Sequence, residues 1–392
     1  MKDDHGPVRG KAAFRRLEGI MRKAVIAGVC LSVVLCAQRG FCAGASSDDR
    51  SAETVERLQK IEIGKFYNAK DGKAPMLPMA IGFYNEAVQF YEKSEYDLAR
   101  QAAQESLDLE PRNPMALELL GELENLQQHF AAAEEFYKKS YLLSPSPRVR
   151  KKIEKLQQEN TVEKDLDTYD EEHFIIKYQQ GEKGYEGFGL KELLRTSYRQ
   201  ISQDFGYYFK HKTVVLFYSG DQFREVTGQA HWVGGLYDGK IRLPSLQDNV
   251  ISDNLRAVVA HEMTHAFVAS ISGMRAPAWL HEGLAEYEAN KVRPIDKTVF
   301  DAAVRTQTLL PLAQIFSDKV PTENKDQLSI ILFYQESYML VNYMIGRYQM
   351  YRMKEILGKF KEGKSAEEAI EDVLAISPKM LEKEWLATLS KS

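Results

Sequence analysis

The stretch Leu255-Arg256-Ala257-Val258-Val259-Ala260-His261-Glu262-Met263-Thr264-His265-Ala266-Phe267 limits what this chain can fold into more than any other. Its valines, methionine and phenylalanine suit a helix buried on most sides, yet it carries two imidazoles and a carboxylate. Polar and charged groups taken out of water must be hydrogen-bonded, paired or bound to a metal. The sequence therefore predicts a buried helix with a built-in demand for compensation.

Spacing indicates how the demand is met. Positions 261 and 265 are one helical turn apart, so both imidazoles leave the same face. Zinc binds nitrogen at about 2 Å, and two turn-spaced histidines reach one ion without bending the backbone. Glu262 is offset by about 100° around the helix, so it can reach a water on that ion without occupying the ion. This is the H-E-x-x-H arrangement of zinc hydrolases. The competing reading, two core histidines satisfied by backbone carbonyls, leaves the glutamate uncompensated.

A catalytic zinc takes three protein ligands and keeps one position open. The metzincin extension would need glycine at 268 and histidine at 271, where this chain has Val268 and Ile271. The third ligand is expected in Pro277-Ala278-Trp279-Leu280-His281-Glu282-Gly283-Leu284-Ala285-Glu286-Tyr287, with Glu282, His281 and Glu286 as candidates. Within it, Trp279-Leu280-x-Glu282-Gly283-Leu284-Ala285 resembles the second zinc-binding helix of the gluzincin peptidases, the clan of thermolysin and the zinc aminopeptidases. That resemblance implies Glu282 as the third ligand. It implies Glu286, one turn on, as the acid that accepts a hydrogen bond from a ligand histidine and so orients the ring.

The match has two departures. Sixteen residues separate His265 from Glu282, slightly fewer than in the aminopeptidases, and His281 stands where those enzymes usually have asparagine. His281 could therefore compete as a ligand. The aminopeptidase substrate motif of glycine, methionine and asparagine is not visible, so the resemblance implies an endopeptidase. Phe333-Tyr334-Gln335-Glu336-Ser337-Tyr338-Met339-Leu340-Val341 is similar to the helix that supplies the gluzincin tyrosine, a donor to the oxyanion. Tyr334 matches that position best, Tyr338 is next and His231 third, against the alternative that tyrosines on an apolar helix simply pack. Gly235 to Pro244 resembles the edge strand above the active-site helix, with a turn at Asp238-Gly239. An extended peptide or protein substrate would pair with such an edge through its main chain.

Upstream lies an internal repeat. Ala99 and Ala133, Ser106 and Ser140, Leu109 and Leu143, and Pro111 and Pro145 are each 34 residues apart. The second copy, with Leu120-Gly121, Ala133, Tyr137 and Pro145, resembles the tetratricopeptide pattern of paired antiparallel helices. Ala87 replaces the usual glycine in the first copy. Residues 78–160 are read as this module, ending in a capping helix over 148–160. Two repeats fall short of the three or so that a free-standing solenoid needs, so the module is expected to lean on its neighbour. It would be either a helical buttress or a groove for a protein partner.

Residues 161–170 read as a charged linker, and 171–392 as the zinc metallopeptidase domain. In that domain His173 to Tyr178 and Thr213 to Tyr218 are expected strands, 187–206 is an expected helix, and helices continue from Ser252. Strands before helices imply an α+β, zincin-like fold with a small mixed sheet over the active-site helix.

Residues 1–45 are of another kind. Arg22 and Lys23 precede the apolar run Ala24 to Ala37, and Ala43-Gly44-Ala45 offers a cleavage site. The run is short of the roughly 20 residues of a spanning helix. The expectation is a signal peptide, with Met21 a tidier start than Met1, then a polar linker over 46–77. The protein would be extracytoplasmic, periplasmic or secreted, and tied to a membrane only if the segment is kept. All three cysteines (Cys30, Cys36, Cys42) fall there, which leaves the body without a disulfide or a thiol nucleophile. Without that segment 44 basic residues face 53 acidic ones, a net of −9, which excludes a charge-driven nucleic-acid binder. The function these features imply is zinc-dependent cleavage of peptide bonds, with Glu262 as general base. The alternatives are an idle peptidase-like scaffold that binds proteins through its repeats, and a zinc hydrolase of non-peptide bonds.

Overall fold

A computed structural model describes residues 78–178, 186–227, 234–244, 251–317 and 327–389. The expected signal segment, the 46–77 stretch, all three cysteines and His231 lie outside them. No described helix is long and apolar enough to cross a membrane.

The N-terminal part is five helices: α1 (Pro78–Glu92), α2 (Tyr96–Leu109), α3 (Pro114–Leu126), α4 (Phe130–Leu143) and α5 (Pro147–Glu163). The 34-residue spacing appears in matched local structure. Ser106 Oγ donates to the Ala80 carbonyl at 2.7 Å, and Ser140 Oγ donates to the Pro114 carbonyl at 2.7 Å. Ser94 and Gln128, 34 apart, both take positive φ where each hairpin turns. Gly121 meets the ring of Tyr137 so closely that a Cβ would lie 2.6 Å from it. One repeat earlier the same positions hold two buried alanines, Ala87 and Ala103. A smaller residue opposite allows alanine where glycine is otherwise required, which explains the weak first copy. Asn113 and Ser146 cap α3 and α5, each followed by proline at the first helical position.

The sheet has β1 (Asp167–Asp170), β2 (Phe174–Tyr178), β3 (Thr213–Tyr218), β4 (Leu236–Tyr237) and β5 (Ile241–Pro244), in the order β1-β2-β3-β5-β4. β2, β3 and β5 run parallel, and the two outer strands are antiparallel to their neighbours. The crossovers are α6 (Glu186–Phe205) and α7 (Gly220–Thr227). Residues of β3 alternate between two cores, as a strand buried on both faces must. Val215 and Phe217 face the large core under α6, whereas Val214, Leu216 and Tyr218 join Val162, Phe223 and Val226 from α5 and α7.

The stretch 161–170, expected as a linker, instead carries the last turn of α5 and the edge strand β1. All four β1 residues are exposed, so no apolar alternation marks them as a strand. β1 and β2 thus join the sheet from ahead of β3 in the chain.

Beyond the sheet come α8 (Asp253–Ser272), α9 (Ala278–Asn290), α10 (Thr298–Thr306), α11 (Leu312–Phe316), α12 (Gln327–Tyr348), α13 (Met350–Lys361), α14 (Ala366–Leu374) and α15 (Pro378–Leu389). Ser252 caps α8 by accepting from the Leu255 N–H, and Gly273 ends it in the left-handed region. Residues 257–269 of α8 are all buried, packed by α6, α9, α13 and the β4–β5 hairpin. On α12 the fully buried Glu336 accepts from the Leu310 N–H with both oxygens, at 2.9 and 3.1 Å.

Burial pushes the Glu336 carboxyl up to about 8, against the pull of that N–H. The folded state thus keeps a proton that the unfolded chain releases above about 4.5. Its contribution is present below that pH and is lost as pH rises towards about 8, at no more than ~1.4 kcal/mol per pH unit. Glu336→Gln is expected to remove this slope, measured as unfolding midpoints across that window.

Candidate metal centre

α8 delivers His261 and His265 one turn apart, with their rings edge to face at 4.8 Å between centroids. α9 crosses this helix and brings Glu282 to the same point. His261 Nε2 and His265 Nε2 are 3.1 Å apart, and Glu282 Oε2 lies 3.5 Å from the first and 3.6 Å from the second. Among the described residues this trio is the one group placed to hold a metal ion. Four-coordinate zinc, with bonds of about 2.0–2.1 Å, sets neighbouring ligand atoms ~3.3–3.4 Å apart. The triangle fits that requirement, and so does the donor set of two imidazoles and a carboxylate.

One glycine makes the approach of α9 possible. A Cβ on Gly283 would lie 2.5 Å from the Ser337 carbonyl oxygen and 2.5 Å from Val341 Cγ2. α9 is therefore pressed backbone-first onto α12, and Glu282, the preceding residue, turns towards α8.

Charge converges on His261. Burial alone would lower its pKa, but Glu282, Glu286 and Glu262 outweigh that and lift it to about 10. Burial raises Glu282 and Glu286, with His261 pulling the other way. Two buried carboxyl groups, Glu262 and Glu282, and the partly buried Glu286 stand about two imidazoles and form a site in excess of negative charge, which a cation relieves. Glu286 Oε1 stands 3.6 Å from His261 Nδ1, on the side of the ring away from Glu282. His265 Nδ1 faces a different neighbour, His281 Nδ1 at 3.4 Å. Burial lowers both rings, His281 to about 4 and His265 well below the ordinary value. His281 thus sits behind His265, while Glu282 meets both histidines of α8 on the side where they meet each other.

Glu262 faces the β4–β5 hairpin. Burial raises its carboxyl to about 7, and the Tyr237 backbone N–H, donating to it, works against that rise. Its Oε2 is buried without a hydrogen-bond partner among the described residues. Gly235 lies against it so closely that a Cβ would come within 2.6 Å of Glu262 Cγ and 2.9 Å of Oε1. The sequence marked Gly235 to Pro244 as a strand above this helix but gave no sign of the hydrogen bond to Glu262. A backbone N–H leaves no mark in a sequence, and the only available signal was the glycine at 235.

The tyrosines are less closely tied to the centre. Tyr334 lies on α12, buried in the large core with its ring edge-on to Phe333. Tyr338, one turn on, is buried too, and its phenol is raised by burial and by the charges of Tyr287 and Glu286. Tyr338 is thus within electrostatic reach of Glu286.

The family model of the Peptidase MA superfamily matches residues 203–391, from the end of α6 through both ligand helices. The match supports a metallopeptidase-like protein, in a superfamily that is typically zinc-dependent. No curated protein and no solved structure matches the chain. The folded unit is larger than the matched stretch, because β2 is hydrogen-bonded to β3 along its whole length.

Gly283→Ala is expected to destabilise the fold by about 1–3 kcal/mol through overpacking against α12 and to weaken metal retention by shifting Glu282. Thermal unfolding and metal content of the purified protein measure both effects.

Proposed function

We propose that this protein is a zinc-dependent endopeptidase of gluzincin type. The observation that carries the proposal is the triangle of ligand atoms, 3.1, 3.5 and 3.6 Å on its sides, beside a buried glutamate with one unpartnered oxygen. His261, His265 and Glu282 would hold the ion. Zinc, when bound, supplies Lewis acidity, making a water acidic near neutral pH and polarising a peptide carbonyl.

The chain's own residues supply the rest. Glu262 accepts a proton from the attacking water at its carboxylate and passes it to the departing amine nitrogen as the C–N bond breaks. Glu286 orients His261 through Nδ1. A tyrosine of α12 donates to the oxyanion, Tyr334 by its match to the clan and Tyr338 by its proximity to Glu286. β4, paired only with β5 among the described strands, lies at the end of the sheet nearest Glu262, where an extended peptide would run. The helical hairpins would be tetratricopeptide repeats, and the 1–45 segment a secretion signal that places the enzyme outside the cytoplasm. An idle scaffold would have no use for a carboxylate held next to the ligands at the energetic expense of burial.

Zinc analysis and cleavage of a broad peptide library test the reading together. Wild type is expected to bind one zinc and to cleave. Glu262→Gln should keep the zinc and lose about 10²–10⁴ in kcat, whereas Glu282→Ala should lose the zinc itself. Tyr334→Phe and Tyr338→Phe, compared by kcat, identify the oxyanion donor, whose loss should lower the rate by about 10²–10³. A full complement of zinc with no cleaved peptide would leave the scaffold reading standing.

A further inference from the structure

The β4–β5 hairpin has two sides, and each meets a different part of the molecule. On one side Gly235 and the Tyr237 N–H touch Glu262. On the other, its tip enters the end of the helical module formed by α3, α4 and α5. Lys240 Nζ donates to Glu159 at 2.8 Å and to Asn125 at 3.1 Å, and lies over the Phe130 ring at 5.1 Å. Arg242 donates to Glu159 at 2.7 Å and to Glu163 at 3.2 Å, and its Nε donates to Asp238. Lys155 reaches the same Asp238 at 2.8 Å.

These groups are out of water: Lys240 is 3% exposed, and Arg242, Glu159 and Glu163 are 1% each. Buried ion pairs contribute little net stability against well-packed apolar residues, but each fixes direction and register. Beneath these anchors Ile241 and Leu243 are fully buried in the large core. A cavity of about 240 Å³ lies between the hairpin, the module and α8, bordered by Tyr96, Gln127, Tyr237, Gly239 and Ala266. The hairpin spans that space on its charged anchors, with the Glu262 contact at its base.

We infer that the helical module clamps the β4–β5 hairpin onto Glu262, so that Lys155, Glu159 and Asn125 are positioning residues for the general base, and that this end of the module takes the chain's own hairpin rather than a second protein. Its effect on turnover rests on the peptidase reading above, but its effect on the hairpin does not.

The test uses the full-length protein and its variants Lys240→Met, Lys240→Arg and Lys155→Ser. Lys240→Met removes the charge while keeping the stem, Lys240→Arg restores it, and Lys155→Ser alters only a half-exposed anchor should the buried variant fold poorly. Hydrogen exchange of the amides of 236–244 is read beside zinc content, kcat and KM. Loss of an anchor should speed exchange across the hairpin but not in α8, and should lower kcat about tenfold, the equivalent of one misaligned hydrogen bond. KM and zinc content should change little, and Lys240→Arg should recover most of the loss. A purely structural contact would lower the unfolding temperature and leave kcat alone. Hairpin exchange or kcat unchanged in both Lys240→Met and Lys155→Ser would overturn the inference. If the wild type cleaves no peptide, the peptidase reading fails by itself. The clamp is then judged on exchange alone: faster exchange confined to the hairpin supports it, and unchanged protection overturns it.

Discussion

Negative charge gathered out of water around His261 is the constraint to which the rest of the molecule answers. Glu262, Glu282 and Glu286 all act on this one ring, and two of the three do not reach it by local structure. Glu262 shares its helix, but Glu282 and Glu286 arrive on α9, which must come close enough for carboxylate and imidazole to meet. Gly283 permits that approach by removing the only atoms that would hold α9 off Ser337 and Val341. The packing of α12 therefore helps to place Glu282 beside His261 and His265, although α12 itself supplies none of the three. Such a cluster is stable when a cation compensates it, so the fold and the chemistry make the same demand.

A second constraint works from the opposite side. β3 is buried on both faces, in one core with α6 and the ligand helices and in another with α5 and α7. α5 thus belongs to two structures at once. It ends the stack of helical hairpins and also roofs the sheet. Gly273, at the end of α8, lies against the Glu92 carbonyl of α1, and Arg275 pairs with Glu92 at 2.6 Å. The module therefore touches the ligand-bearing helix at its far end as well as the hairpin near its middle.

Much of this was legible in the sequence where a regular period carried the information. Turn spacing placed His261 and His265 on one face, the 34-residue offset marked the helical hairpins, and β-branched runs marked β2 and β3. What escaped had no period to betray it. Asp167–Asp170 is exposed at every residue and reads as linker, yet it pairs with β2. The Tyr237 N–H carries no residue type, so its bond to Glu262 could not be read at all. Lys240-Ile241-Arg242 has the alternation of a strand with one wet face, but the polar face is the one packed against Glu159 and Glu163. A charged residue in a strand announces water only when no opposite charge waits across the interface.

The buried ion pairs between α5 and β5 also bear on how such a protein can be rearranged over generations. Apolar surfaces are forgiving, and a helical stack that met the sheet through leucines could be exchanged for another of similar shape. Here Lys240 and Arg242 need carboxylates at set positions, so a replacement stack would have to arrive with its own acidic pair already in register. The two halves are thus matched charge for charge, and a change at Lys240 or Arg242 alone would leave Glu159 short of a buried partner.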